Sequence, residues 1–194
     1  RILGVDSVPS TPFERGELPR KAILTPIQVR TRKAKRALAA RNLVEAVTWS
    51  FIAKNNAELF GGGKPELALA NPIAADLSDM RPSLIPGLVA AAQKNADRGF
   101  PDAGLFEVGQ IFRGDQPADQ LTAAAGIRCA LAKPSGIGRH WTKRDADVNG
   151  FDAKADALTV LTAAGAPPQA LQVVPGGPAW FHPGRCGTIQ IGPQ

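Results

Sequence analysis

Residues 104–113, GLFEVGQIFR, followed after a short break by residues 121–131, LTAAAGIRCAL, decide the fold. Both runs are dominated by apolar side chains, and Gly114, Asp115 and Pro117 between them are turn formers. They predict consecutive strands over 105–112 and 121–131, joined as an antiparallel hairpin. The second strand is nearly free of charge, which predicts burial.

Upstream of the hairpin, Pro82-Ser83 introduces a helix through Leu84, Leu88, Ala91, Ala92 and Ala96 that stops at Gly99, with Pro86 acceptable only in its first turn. Residues 67–69 read as a short strand. Gly61, Gly62 and Gly63 form a flexible turn; a phosphate cradle would open a helix after a strand, and Pro65 argues against that. Residues 43–51 change period to two, with Val47, Trp49 and Phe51 on one face and Ala46, Thr48 and Ser50 on the other, which predicts a half-buried strand. Before it, Thr25-Pro26 starts a helix reaching about Arg41, with Asn42 as terminator and Ile27, Ala34, Ala37 and Leu38 as its apolar stripe. Residues 1–25 carry three prolines and little periodicity and read as a linker, with a boundary near Arg20.

Downstream, a loop containing Gly136, Gly138, His140 and Trp141 leads to Asp152, read as the cap of a helix that reaches Ala164 and ends at Gly165. Strands over 171–174 and 188–191 close the chain. No repeat is visible, and the regular βαβ alternation of a nucleotide fold is missing. The order predicts an α+β domain with a mainly antiparallel sheet flanked by helices.

The chain has 194 residues, enough to bury a core but not for two large domains, and 44% apolar with 21% charged residues excludes collagen, mucin and wholesale disorder. No apolar run approaches the roughly 18 residues that span a bilayer, and no signal peptide is recognisable, so a cytoplasmic location with no membrane partner is expected. The only methionine is Met80 and the chain begins at Arg1, which marks it as an expected piece of something longer. Net charge is +6, and Arg30, Arg32, Lys33, Lys35, Arg36 and Arg41 fall in the first predicted helix. They make that helix a candidate surface for RNA phosphates or an acidic partner, against the plain reading of a solvated face.

Among soft ligands, His182 and Cys186 have a spacing zinc could use, but Cys129 sits in an apolar run where a free cysteine is ordinarily a small buried hydrophobe. Neither a metal centre nor a Cys/His nucleophile is expected from Cys129, His140, His182 and Cys186; two cysteines fit a reducing compartment. Asp76, Asp79, Asp115, Asp119, Asp145, Asp147, Asp152 and Asp156 read mostly as loop, cap or solvated residues rather than as an acid/base pair.

ANPIAADLSDMRPSLIPGLVAAAQKNADRG (residues 70–99) and GLFEVGQIFR together resemble the β-subunit family of bacterial phenylalanyl-tRNA synthetases. RILGVDSVPSTP at the start, NLVEAVTWSFI, Asn149-Gly150-Phe151-Asp152 and Phe181-His182-Pro183-Gly184-Arg185 extend the resemblance in family order over nearly the whole chain. It implies a catalytic-like domain over residues 21–194, related to the class II synthetase antiparallel fold but without its active site. Residues 1–20 would be the tail of a preceding domain, and further strands are expected beyond Gln194.

The resemblance also implies roles. Helix 26–41 and the strand after it are similar to class II motif 1, the dimer-interface element, although the usual proline is absent and Trp49 stands near its place. Phe112-Arg113-Gly114-Asp115 looks like motif 2, whose arginine grips ATP, but the turn after it is short and motif 3 has no match, so Arg113 is expected to be a strand-end residue. No catalytic, cofactor-binding or metal residue is carried over. For the whole enzyme the family implies ATP and Mg2+, a catalytic alpha subunit in an alpha2-beta2 assembly, and phenylalanine tRNA; none of these cofactors is expected in this piece. A free-standing basic nucleic-acid-binding module is the alternative, and a small-molecule enzyme using carboxylates around Asp145 a third; the missing initiator methionine disfavours both.

Overall fold

In a computed structural model the described residues are 4–13, 16, 21–130 and 147–192. The hairpin is its centre: β4 (Gly104–Phe112) and β5 (Gln120–Arg128) pair antiparallel from Gly104↔Arg128 to Phe112↔Gln120. On the other side of β4, β1 (Val44–Glu45) pairs in parallel, so the sheet order is β1-β4-β5. Two small antiparallel ladders stand apart from it, β2 (Phe51–Ile52) with β3 (Asp79–Met80) and β6 (Leu171–Pro175) with β7 (Gly187–Ile191). The α+β architecture with mainly antiparallel pairing is as expected; β1 is its parallel exception.

Helix α1 (Pro26–Ala40) begins as its residues dictate. Thr25 Oγ1 accepts from the Gln28 amide and Gln28 Oε1 accepts from the Thr25 amide at 2.9 Å, a reciprocal cap, with Pro26 at the first helical position. It ends where Asn42 turns left-handed at φ 60°. Ala34 and Leu38 are buried, but Ile27 is 48% exposed and drops out of the predicted stripe. Leu38, Leu43 and Phe106 form one core cluster, with Val108 and Val160 packed against it. A six-residue helix that the sequence reading missed, α2 (Lys54–Leu59), precedes the glycine turn, where Gly61 and Gly63 take positive φ. Its missing signal is physical: KNNAEL is too short to show a period.

Helix α3 (Ile85–Asp97) buries Pro86, Leu88 and Ala92 and stops at Gly99 with φ 88°, while Ala96 faces solvent. Helix α4 (Gly150–Ala164) ends at Gly165 as predicted, but its cap is Asn149, whose Oδ1 accepts from the Phe151 amide at 2.8 Å. Asp152 is the other half of that box, accepting from the Asn149 amide at 2.9 Å. Three strand expectations are corrected. Residues 67–69 give a 3-10 turn (Pro65–Leu67) and a lone bridge from Ala68 to Asp79, because the Leu67 and Ala68 amides are spent on the Lys64 and Pro65 carbonyls of the turn. Residues 43–51 yield only two-residue strands at their ends, with no ladder over 46–50. And β5, expected to be buried, is the edge of the sheet among the described residues, with Ala124 and Gly126 exposed. The loop holding Gly136, Gly138, His140 and Trp141 lies outside the described residues.

Candidate docking surface

α1 contains no acidic residue, so its cations cannot pair within the helix and must look elsewhere. Lys35 reaches Glu45 at 2.5 Å. Arg41, just past the last turn, binds Asp156 on α4, and Asp156 also takes Arg128 Nε at 2.6 Å. Arg128 Nη2 in turn donates to the Arg41 carbonyl oxygen at 2.6 Å, so the end of α1, the end of β5 and α4 are tied at one carboxylate. Arg30, Arg32, Lys33 and Arg36 are exposed and make no ion pair among the described residues. At 3.6 residues per turn, Arg32, Lys33 and Arg36 share the face opposite buried Ala34 and Leu38. Like charges one turn apart repel by about 0.2–0.5 kcal/mol per pair, so this stripe does not stabilise the helix.

The segment after α1 is unusual in a second way. Val44, Val47 and Trp49 are 65%, 87% and 67% exposed within six residues. Between the last two, Thr48 turns inward: its Oγ1 donates to Glu107 Oε2 at 2.7 Å and accepts from Arg81 Nη1 at 2.9 Å. Arg81 and Glu107 form an ion pair at 2.9 Å whose side chains are 5% and 4% exposed. Arg81 Nε donates to the Gln110 carbonyl oxygen at 2.9 Å, completing the satisfaction of a buried cation. The two predicted faces of 43–51 are therefore distinguished over 47–49, with Val47 and Trp49 outward and Thr48 inward. Sequence reasoning did not single out Arg81 or Glu107. One signal was available, since Glu107 is the only charge in β4 and a lone charge in a central strand requires a partner.

A cavity of about 780 Å3 lies between β5, α4, α1 and β7, with Leu38, Ile127, Val160, Leu161 and Ile189 among its lining. Its charged groups, Arg128 and Asp156, are already engaged with each other. Arg113 stands exposed one residue beyond β4, its amide donating to the Asp119 carbonyl and its own carbonyl accepting from Lys64 Nζ at 3.2 Å.

Of the eight singled-out aspartates, Asp76, Asp115 and Asp147 are exposed and Asp119 and Asp152 complete caps, while Asp145 lies outside the described residues. Two depart from the expected pattern: Asp156 is the shared anion above, and Asp79 is buried with Oδ1 lacking a hydrogen-bond partner among the described residues. Cys129 falls just after β5, and burial raises its thiol pKa. His182 Nδ1 accepts from the Gly184 amide and Cys186 Sγ lies 3.8 Å from the Pro183 carbonyl oxygen; His140 lies outside the described residues. Among the described residues no three His, Cys, Asp or Glu side chains converge, so a donor set for Mg2+ or zinc is not assembled there.

Residues 11–194 match the family described as the phenylalanyl tRNA synthetase beta chain CLM domain. Over its full length the chain is 67% identical to the phenylalanine–tRNA ligase beta subunit of Bradyrhizobium diazoefficiens and 68% identical to that of Rhodopseudomonas palustris. The chain belongs to the phenylalanyl-tRNA synthetase beta-chain family. Identity to the Brucella abortus beta subunit is 56%, and in each case the chain spans 24% of the relative's length. This membership agrees with the resemblance carried by residues 70–99 and 104–113.

Two solved structures of pyrrolysyl-tRNA synthetase from Desulfitobacterium hafniense superpose with TM-scores of 0.50 and 0.51, at 19% and 18% identity. Each covers 75% of this chain, and 46% and 48% of the synthetase chains are matched. At that identity the likeness is one of fold, and the fold of this CLM domain is that of the class II tRNA synthetases. Among the described residues no helix is long and apolar enough to cross a membrane.

Proposed function

We propose that this CLM domain is the scaffold through which a phenylalanine–tRNA ligase beta subunit packs on its catalytic alpha subunit. The observation that carries the reading is the exposure of Val44, Val47 and Trp49 immediately after the cationic helix α1. Three large apolar side chains held out to water in one short segment are costly in a free domain and favourable in an interface, where tryptophan is enriched among the residues that dominate binding. In this reading α1 and residues 44–49 are the docking element of an alpha2-beta2 cytoplasmic enzyme. ATP-dependent attachment of phenylalanine to its tRNA, with Mg2+, takes place in the alpha subunit. This domain contributes rigidity and buried area and no reacting group: Arg113 lies exposed one residue beyond β4, and Arg128, which lines the cavity, is held by Asp156.

The test uses the complete beta subunit together with its alpha subunit. Trp49→Ala and Val47→Ser are each expected to raise the dissociation constant of the assembly at least tenfold, read by sedimentation or mass photometry. Wild-type assembly in both would overturn the reading. Calorimetric titration of the complete beta subunit without alpha is expected to show no binding of ATP by this domain, and binding lost on Arg113→Ala would contradict the scaffold role.

A second reading has its own observation. Arg30, Arg32, Lys33 and Arg36 are exposed and unpaired with any acid among the described residues, a pattern that fits a phosphate backbone. Arg32→Glu with Arg36→Glu separates the two. Weakened tRNA binding with intact assembly would favour RNA contact, and loss of assembly with unchanged tRNA affinity per complex favours docking.

A further inference from the structure

Residues 46–51 pose a register problem. Val47, Trp49 and Phe51 alternate with Ala46, Thr48 and Ser50, and with no ladder over 46–50 to fix the facing, a chain left to its apolar pattern would turn the larger set inward. Here Val47 and Trp49 face water and Thr48 faces the core. What holds this inverted register is polar. Thr48 Oγ1 bridges Arg81 and Glu107, and Arg81 Nη1 lies 3.4 Å from the carbonyl oxygens of both Thr48 and Trp49. The Arg81 amide donates to the Ser50 carbonyl at 3.0 Å and the Ala46 amide to the Phe106 carbonyl at 2.7 Å, pinning both ends. Two glycines make the room: a Cβ on Gly87 would stand 2.3 Å from Thr48 Oγ1, and one on Gly109 would stand 2.8 Å from Arg81 Nη2.

Core stability does not explain the arrangement, because well-packed apolar residues of similar volume usually serve a core as well as a buried ion pair does or better. Specifying one register against a more apolar competitor does explain it. We infer that Arg81, Glu107 and Thr48 form a register lock whose role is to hold Val47 and Trp49 outward for the partner subunit. Arg81 is a positioning residue in this scheme, acting through Thr48 without touching the partner. The inference rests on the docking reading above.

The experiment uses the complete beta subunit, alone and with alpha. Thr48→Val removes the hydroxyl at constant shape. It is expected to raise amide hydrogen exchange over residues 46–50 at least tenfold and to weaken alpha binding at least tenfold, with exchange over β4 and α3 unchanged. Thr48→Ser, which restores the hydroxyl, is expected to recover both. The triple variant Thr48→Val, Arg81→Met, Glu107→Leu is expected to stay folded with an unlowered melting temperature and to show reduced hydroxyl-radical oxidation of Trp49, as the segment turns inward.

Wild-type exchange in Thr48→Val, or a folded triple variant whose Trp49 is oxidised as in wild type, would overturn the lock. If Trp49→Ala weakens assembly and Thr48→Val does not, the lock alone falls. If Trp49→Ala leaves assembly unchanged while Thr48→Val loosens the segment, the docking reading falls and takes the partner half of the inference with it.

Discussion

β4 and β5 are both nine residues long and face each other position for position, yet β4 buries Phe106, Glu107 and Phe112 while β5 leaves Gln120, Leu121, Thr122, Ala124 and Gly126 exposed. The difference is one of neighbours. β4 lies between two strands and carries the side chains that α1 and the Arg81 network pack against, whereas β5 has a partner on one side only among the described residues. Small uncharged residues suit either situation, so composition alone does not tell an edge from a centre. A lone charge does: in β4 it marks a buried network, and in β5 the terminal Arg128 marks the point where the edge is tied to α4.

This contrast sets an order of expected effects. Phe106→Ala should lower stability by about 3–5 kcal/mol, the range for emptying an aromatic site in a core, whereas Leu121→Ala on the edge should lower it by less than about 1 kcal/mol; urea titration of both checks the gap. Equal losses would break the comparison. Asp156→Asn removes the carboxylate charge shared by Arg41 and Arg128 and should lower stability by about 1–3 kcal/mol, less at high salt because the site is only partly buried. No dependence on salt would mean that the cluster acts by shape. Gly126→Ala has ordinary van der Waals room, so it should change stability by no more than about 1 kcal/mol, with a gain if backbone entropy dominates.

The smallest effect concerns the residue just beyond β5. Burial raises the Cys129 thiol pKa, so the folded chain keeps its proton at a pH where an unfolded thiol has lost it. Folded stability therefore declines slightly as pH rises through the ordinary thiol range, and alkylation of Cys129 by iodoacetamide near pH 9 should be slower in native buffer than in urea, as followed by mass spectrometry. Equal rates would show that the site is open to water.

Helix ends and the hairpin were legible because their determinants are local: Thr25-Pro26, Asn42, Gly99, Gly165 and the turn between β4 and β5 each act over a few residues. The family could be read for the same reason, from contiguous stretches such as 70–99. The sense of residues 46–50 was not legible, because Thr48 is held by residues 33 and 59 positions away and an alternation pattern does not say which of its faces has a distant polar partner. Asp152 reads as a cap from sequence because it occupies the third position of a box whose first member, Asn149, satisfies the same rule. The fate of the six cations was beyond the sequence too, since pairing of Lys35 and Arg41 depends on β1 and α4, and only the structure leaves Arg30, Arg32, Lys33 and Arg36 on the outside.

Gly87, near the start of α3, shows how local and global fitness can oppose each other. Glycine there weakens the helix by roughly 0.5–1 kcal/mol relative to alanine, so an isolated peptide of residues 82–99 should gain helicity on Gly87→Ala. In the folded domain the added methyl meets the Thr48 hydroxyl at 2.3 Å and the same change should be harmful. A stabilisation scheme guided by helix propensity would choose this substitution early, and the sign of its effect would reverse between peptide and protein.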